Sequence, residues 1–183
     1  MSTFNDTGLN ADLLKGIEKL GFKEPTPIQA KVIPMLIKGE RDMVALAQTG
    51  TGKTAAFGLP LLQLTDPSKK NIQALVLCPT RELCIQIAKD LAAFSHFAQH
   101  LRILPVYGGS SINVQMNSLH HGVHILVATP GRMNDLLRRG AAHLDNVARV
   151  VLDEADEMLT MGFQEELESI LKEVPETARK LLF

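Results

Sequence analysis

A short glycine-rich segment has the most specific chemical pattern in this sequence. The segment Gly50-Thr51-Gly52-Lys53-Thr54 follows an apolar run at residues 43–46 and precedes a helix-like stretch. Strand, glycine-rich turn and helix, in that order, are the context of a phosphate-binding loop, whose backbone N–H groups surround an anion. In such a loop the lysine reaches the β- and γ-phosphates of a nucleotide, and the threonine hydroxyl binds Mg²⁺. The predicted nucleotide-binding residues are Gln48, Thr49, Gly50, Thr51, Gly52, Lys53 and Thr54.

Two acidic residues, Asp153 and Glu154, follow the apolar run at residues 150–152. In enzymes with a phosphate-binding loop, a carboxylate at the end of a second strand holds Mg²⁺, and an acidic residue orients and deprotonates the attacking water. The alternative is that the pair only caps the next helix, since acidic residues stabilise helix N-termini. Because the phosphate-loop pattern occurs in the same chain, we predict a catalytic set of Lys53, Asp153 and Glu154. The predicted metal ligands are Thr54 and Asp153.

Gln29 lies at the start of a predicted helix. Thr26 is a typical N-cap residue and Pro27 a typical first helical residue, so the pattern predicts a helix that ends near Gly39. A glutamine amide presents a donor and an acceptor, which match the N6 and N7 atoms of adenine. Taken alone, however, Gln29 is more typical of a surface residue.

Three further polar segments follow predicted strands: Pro79-Thr80-Arg81, Gly108-Gly109 and Thr129-Pro130-Gly131-Arg132. The first and the last lead into predicted helices, and helix N-termini and arginine side chains bind phosphates. Paired glycines let a polyanion approach the backbone closely. With the nucleotide at the phosphate loop, these segments are predicted to bind a separate polyanion. Ordinary capping turns with a solvated arginine would give the same spacing.

Apolar strand-like runs alternate with helix-like segments along the chain. The predicted strands lie at residues 43–46, 74–78, 103–107, 125–128, 150–152 and 181–183. Their continuous apolar character is typical of an α/β fold with a mostly parallel β-sheet covered by helices on both faces. Pro105 indicates that its strand is irregular or lies away from the sheet centre. Because ligands of such sheets bind beyond the carboxyl ends of the strands, we expect all these polar segments at one edge.

Bulk properties narrow the class of protein. The chain has 183 residues, enough for one domain with a proper core, and a formal net charge of −1. Any nucleic-acid site must therefore be a local patch. No apolar run reaches the roughly 18 residues of a membrane helix, and Cys78 and Cys84 are typical of reduced thiols in a cytoplasmic protein. The histidines at positions 120, 121 and 124 are expected in a solvated loop rather than a zinc site.

In the order of their motifs, the residues above resemble the DEAD-box family of ATP-dependent RNA helicases, specifically its N-terminal RecA-like P-loop domain. The resemblance covers nearly the whole chain, from Gly21-Phe22 to Asp153-Glu154-Ala155-Asp156, and the family also has alanine where Ala47 replaces the first glycine of the generic loop. The resemblance implies that residues 1–39 recognise adenine, with Gln29 reading the base and Phe22 packing against it, and that Glu154 is the catalytic base. It also implies RNA-backbone contacts by Pro79, Thr80, Arg81, Gly108, Gly109, Thr129, Gly131 and Arg132.

The resemblance further implies that the chain is a fragment. The family continues into a Ser-Ala-Thr motif, to which Asp156 couples, and into a second RecA-like domain that supplies arginine fingers and half of the RNA surface. We therefore expect a parent protein that uses ATP and Mg²⁺ to unwind or remodel short RNA duplexes, and an isolated chain that binds nucleotide weakly and is nearly inactive. An ATP-dependent RNA clamp or assembly module without useful unwinding needs the same residues. A GTP-binding switch is disfavoured because no Asn-Lys-x-Asp guanine motif occurs. No membrane partner is expected.

Overall fold

A parallel sheet forms the centre of the molecule in the computed structural model, which describes residues 3–39, 41–48, 50–98 and 100–183. Its six strands run in the order β1-β6-β5-β2-β4-β3, and every pair is parallel. The strands are β1 (Met43–Val44), β2 (Ala74–Leu77), β3 (Ile103–Val106), β4 (Ile125–Ala128), β5 (Arg149–Leu152) and β6 (Arg179–Leu182). The predicted α/β class with a parallel sheet is confirmed.

The helices begin largely where the sequence predicted. They are α1 (Ala11–Lys19), α2 (Pro27–Lys38), α3 (Lys53–Gln63), α4 (Arg81–Phe94), α5 (Ile112–His120), α6 (Pro130–Arg138), α7 (Ala155–Thr160) and α8 (Gln164–Lys172), preceded by a 3₁₀-helix at Phe4–Thr7. Side-chain caps explain some starts: the Leu13 backbone N–H donates to Asn10 Oδ1 over 3.0 Å, and that of Leu83 donates to Thr80 Oγ1 over 3.2 Å. The 3₁₀-helix and α7 were not predicted.

Two hydrophobic clusters cover the two faces of the sheet. Alternate side chains of β2 point to opposite faces, so Val76 joins the cluster under α1–α4, whereas Leu75 and Leu77 join the cluster under α6 and α8. Both faces of the strand are buried, which explains its continuous apolar sequence. The buried sheet therefore holds the segments that follow its strands in fixed positions relative to one another.

The position of β3 agrees with the prediction made from Pro105. Among the described strands, β3 lies at one end of the sheet and pairs only with β4. An edge strand tolerates a proline, because one side of it needs no ladder hydrogen bonds. Within the described ranges, no helix has the length and apolar character needed to cross a membrane.

A glycine fixes the distance between α1 and the end of α4. A Cβ atom on Gly16 would lie 2.3 Å from the backbone oxygen of Phe94, and backbone cannot move aside cheaply. We expect Gly16→Ala to lower the free energy of unfolding by about 2–3 kcal/mol, as measured by urea denaturation. The control is Gly131→Ala in α6, where the added methyl would meet no atom within 4 Å, so that stability should stay level or rise. Equal stability of both variants would contradict the proposed close approach.

Candidate nucleotide and polynucleotide site

The polar segments lie along one edge of the sheet. Each follows the carboxyl end of a strand: the glycine-rich loop after β1, Asp153 after β5, Pro79 after β2, Thr129 after β4 and Gly108 after β3. Because the strand order is β1-β6-β5-β2-β4-β3, the loop and the acidic pair occupy one half of the edge. The segments predicted to bind a polyanion occupy the adjoining half.

The glycine-rich loop makes a tight turn into α3. Gly50 and Gly52 have φ of 82° and 92°, in the left-handed region that favours glycine. The Thr51 hydroxyl donates to the Gln48 backbone oxygen over 2.7 Å, which closes the turn from within. Thr49, also predicted to bind nucleotide, lies outside the described residues. The loop therefore places the N-terminus of α3 at the carboxyl edge of the sheet. This N-terminus is the positive end of the helix dipole.

A cavity of about 440 Å³ adjoins this loop. Its lining combines the polar Lys53, Thr54, Asp153, Glu154 and Gln29 with the apolar Phe22, Leu83 and Phe94. A mixed lining of this kind suits a molecule that carries both phosphates and an aromatic base.

Asp153 is a buried carboxylate with an unsatisfied oxygen. Its residue is 3% exposed, Lys53 Nζ lies 4.0 Å from Oδ1, and Oδ1 has no hydrogen-bond partner among the described residues. Burial raises the pKa of Asp153 to about 6, although Lys53 opposes this shift. An ionised, unsatisfied oxygen that lines the same cavity as Thr54 fits Mg²⁺, which binds through one or two carboxylates while substrate phosphates and waters complete its shell.

Glu154 has an unusual backbone conformation. It occupies the N-cap position of α7 with φ 55° and ψ 50°, and it is one of two described non-glycine residues with positive φ. Its side chain makes no capping hydrogen bond, so a side-chain cap does not explain the presence of Glu154. Its backbone N–H donates to the Phe183 oxygen over 3.0 Å. The conformation costs about 1–2 kcal/mol and is typical of residues held for a function.

Gln29 connects α2 to the phosphate loop. Its Oε1 accepts from the Thr26 backbone N–H over 3.0 Å, and its Nε2 donates to the Gly52 backbone oxygen over 3.1 Å. At 2% exposure it is not the surface residue that its type alone suggests. One hydrogen on Nε2 and one lone pair on Oε1 remain for a ligand. Phe22, on the same cavity, packs edge-on against Phe94 with ring centroids 5.8 Å apart.

A second cavity of about 390 Å³ brings together most of the residues predicted to bind a polyanion: Pro79, Arg81, Gly108, Thr129, Gly131 and Arg132. Arg81 lies over the Tyr107 ring, 5.0 Å from its centroid, and its Nη1 is 3.4 Å from where a Cβ of Gly109 would be. Arg132 donates through both Nη atoms to the Ser110 oxygen, over 3.2 and 3.1 Å. Arg132 is half-buried and hydrogen-bonded, so it is not the freely solvated side chain of the alternative interpretation, whereas Arg81 is exposed and contacts the Tyr107 ring.

The two cavities are neighbours. Thr80, whose hydroxyl caps α4, lines a further cavity together with Lys53 and Glu154, and it lies between Pro79 and Arg81 in sequence. Lys53, Glu154 and Arg132 are therefore on the same side of the molecule. Asp156, predicted to couple to a second domain, is exposed in the first turn of α7.

Sequence reasoning missed two polar residues of this edge. Asp90 lines the first cavity, receives a 2.7 Å hydrogen bond from Gln86 Nε2 and has its pKa raised by burial. Gln115, on α5, is 5% exposed and bonds Arg132. A signal existed for both, because each interrupts the apolar stripe of its helix: Asp90 lies seven residues after Leu83, and Gln115 three after Ile112.

For the histidines at positions 120, 121 and 124 the sequence predicts a solvated loop. The described part of the chain has no group of three or more His, Cys, Asp or Glu side chains placed to hold a metal. The expectation of a solvated loop is wrong for His124. This residue is 1% exposed, and its Nδ1 accepts from the Arg102 backbone N–H over 2.8 Å.

A glycine-rich loop at the carboxyl edge of a parallel sheet, facing an acidic residue at the end of a nearby strand, defines a P-loop nucleotide-binding domain. Comparison with known proteins specifies the class further. A family model described as DEAD/DEAH box helicase matches residues 26–183, and the chain belongs to this family.

Relatives and a solved structure agree with this assignment. The chain is 52% identical to the DEAD-box ATP-dependent RNA helicase CshA of Bacillus cereus over 183 residues, which are 100% of this chain and 34% of that protein. It is 49% identical to the ATP-dependent RNA helicase DeaD of Haemophilus influenzae over 181 residues, 99% of this chain and 29% of that protein. The crystal structure of a DEAD box protein from the hyperthermophile Methanococcus jannaschii matches with a TM-score of 0.94 and 43% identity, over 99% of this chain and 49% of that one. The chain spans about a third of the length of the curated relatives, and the expected RecA-like fold is confirmed.

Proposed function

We propose that this chain is the ATP-binding and ATP-hydrolysing N-terminal domain of an RNA helicase that unwinds or remodels short RNA duplexes. The observation that supports it most is the shared edge, where Lys53, Glu154 and Arg132 lie on one side of the sheet in adjoining cavities. The relatives CshA and DeaD are named ATP-dependent RNA helicases. A site for hydrolysis and a site for a polynucleotide that share one edge can influence each other through short, rigid connections.

In the proposed nucleotide site, residues 1–39 recognise adenine. Gln29 reads the base with its remaining donor and acceptor, and Phe22 packs against it. The backbone of residues 48–52 and Lys53 hold the phosphates, while Thr54 and Asp153 hold Mg²⁺. When bound, Mg²⁺ neutralises charge on the phosphates. Glu154 accepts a proton from the attacking water, and its fixed backbone orients the carboxylate for this task.

In the proposed RNA site, contacts go to the backbone. Arg81 and Arg132 offer guanidinium donors to phosphates, Gly108 and Gly109 allow close approach, and the remaining contacts come from Pro79, Thr80, Thr129 and Gly131. Phosphates and 2′-hydroxyls do not differ between bases, so little sequence preference is expected. With a net charge of −1, the chain has no overall attraction for RNA, and this local surface must supply it.

We further propose that the parent protein has a second RecA-like domain, coupled through Asp156, and that this chain alone binds nucleotide weakly and turns it over at a near-zero rate. An arginine finger contributes about 10³–10⁵ in rate, and the family places it in that second domain. RNA-stimulated ATPase assays on the 183-residue chain and on the parent protein test this. Robust stimulated turnover by the chain alone would contradict it. A strand-separation assay on the parent distinguishes unwinding from an RNA clamp.

Nucleotide preference tests the role of Gln29. We expect Gln29→Ala to remove a preference for ATP over GTP of about tenfold, since a pair of hydrogen bonds to the base contributes on the order of 1–2 kcal/mol. Competition of ATP and GTP for a fluorescent nucleotide measures it. The control is Gln63→Ala: this glutamine likewise bonds the backbone of another segment, through Asn10 and Gly8, but lies outside the cavity. Unchanged preference in Gln29→Ala would rule out base reading by this residue.

A further inference from the structure

Gln115 joins two segments of the proposed RNA site, the Gly108-Gly109 turn and α6, through one buried amide. Its Oε1 accepts from Arg132 Nη1 over 2.7 Å, and its Nε2 donates to Ser110 Oγ over 2.8 Å and to the Tyr107 backbone oxygen over 3.3 Å. Tyr107 and Ser110 flank the Gly108-Gly109 turn, and Arg132 lies in the first turn of α6. One side chain of α5 therefore fixes both ends of the glycine turn to the arginine.

Arg132 also bonds the Gly108-Gly109 turn directly, at Ser110. Both of its Nη atoms donate to the Ser110 backbone oxygen, so Ser110 is held by Arg132 and by Gln115. These bonds and the one to Gln115 use three of the five N–H donors of a guanidinium. The other donors of Arg132 can then serve a phosphate without loss of the internal bonds.

The amide is chemically matched to this position. A buried polar side chain must have its donors and acceptors satisfied, and here one acceptor faces a cation while the two donors face oxygens. Glutamate would keep the acceptor for Arg132 but would place an oxygen against the Tyr107 carbonyl. Leucine would have a similar volume and leave Arg132 and Ser110 without this partner.

We propose that Gln115 is a positioning residue for RNA binding, which acts by holding Arg132 and the Gly108-Gly109 turn in one fixed arrangement. This inference depends on the proposed RNA-binding function of the same surface. Gln115 is 5% exposed and has its polar atoms occupied by protein groups, so its effect on RNA is transmitted through Arg132. A fixed guanidinium loses less conformational freedom when it binds a phosphate, and affinity rises accordingly.

The test is a double-mutant cycle on the 183-residue chain, with fluorescence anisotropy of a labelled single-stranded RNA at low salt. Arg132→Ala is expected to weaken RNA binding about tenfold or more, and Gln115→Leu about fivefold to tenfold, which corresponds to one lost hydrogen bond of ordinary strength. The double variant should bind RNA as Arg132→Ala does, because Gln115 acts through that arginine. ATP affinity should change by less than about twofold in all three, since neither residue lines the nucleotide cavity.

Ser118→Ala is the matched control on α5, because its hydroxyl bonds only its own helix at Val114 among the described contacts, and RNA affinity should not change. If Gln115→Leu fails to fold, as judged by circular dichroism and ATP binding, Gln115→Glu keeps the arginine partner and should show a smaller loss of RNA affinity. Additive effects in the double variant, or unchanged RNA affinity in Gln115→Leu while Arg132→Ala weakens it, would overturn the inference. If Arg132→Ala itself leaves RNA affinity unchanged, the proposed RNA surface is wrong, and the role of Gln115 is rejected with it.

Discussion

Replacement of Asp153 by asparagine is expected to stabilise the fold at neutral pH and to weaken Mg²⁺-dependent nucleotide binding more than about tenfold. The carboxylate is buried, its Oδ1 has no hydrogen-bond partner among the described residues, and Lys53 at 4.0 Å offsets only part of the cost of its charge. An uncharged amide removes this cost. The same amide is a poor ligand for Mg²⁺, which prefers charged oxygen.

The pH dependence of stability follows from the direction in which the pKa of Asp153 is shifted. The pKa of Asp153 is raised from its ordinary value of 3.8 to about 6 in the folded protein, so between these values the folded state binds more protons than the unfolded state. Its favourable contribution is present below pH 3.8 and is lost as the pH rises through about 6. The difference between the two pKa values corresponds to about 3 kcal/mol against the folded state at pH 7.5.

Urea denaturation of the wild type and Asp153→Asn at several pH values between 4.5 and 8 measures this effect. The variant should gain up to about 3 kcal/mol at pH 7.5 and only about 1 kcal/mol at pH 4.5. It should bind ATP at least as well as the wild type when EDTA is present, but more than about tenfold worse with Mg²⁺. The control is Asp156→Asn, three residues away and exposed. Its free energy of unfolding should differ from that of the wild type by no more than about 0.5 kcal/mol. An Asp153→Asn variant no more stable than wild type at pH 7.5 would contradict the unsatisfied carboxylate.

The second large effect is expected at Gly52. A Cβ here would lie 2.3 Å from Gln29 Nε2, and φ of 92° strains any other residue. We expect Gly52→Ala to weaken ATP binding about 100-fold, because a left-handed backbone costs about 1–2 kcal/mol and the displaced Gln29 loses its bond to the loop. Isothermal titration with ATP and with GTP measures affinity and preference together.

Gly50→Ala separates the two causes. Gly50 has φ of 82°, close to that of Gly52, but an added Cβ would meet no atom within 4 Å. This variant should carry the backbone strain and keep the preference for ATP over GTP, whereas Gly52→Ala should lose both affinity and preference. Equal effects of the two substitutions on preference would show that Gln29 is not displaced.

The sequence patterns predicted the architecture well because both faces of the sheet are buried, and burial on both faces requires apolar residues along each strand. Continuous apolar runs such as Ile125–Ala128 are typical of a strand buried on both faces, and Thr26 with Pro27 marks the start of α2. The six-residue helix α7 escaped prediction because it buries only Met158, which leaves no periodic apolar stripe. Its N-cap conformation at Glu154 is set by tertiary contacts.

The candidate site was less predictable at the level of single side chains. Residue type and spacing suggested which segments gather at the edge, since parallel strands place their ends together. They did not indicate that Gln29 bonds Gly52 or that Arg132 bonds Gln115, because each contact joins segments distant in sequence. The burial of His124 likewise depends on its packing near Arg102, which no local pattern records.

The left-handed backbone of Glu154 has a consequence for directed evolution of thermostable variants. Glycine or asparagine at this position would relax the main chain, and asparagine at its neighbour Asp153 would remove a buried charge. A screen that rewards only heat resistance should therefore enrich substitutions at both positions, and under the proposed roles of Asp153 and Glu154 the enriched proteins would not hydrolyse ATP. Libraries selected for growth instead of melting temperature should retain Asp153 and Glu154, although both residues lower the stability of the fold.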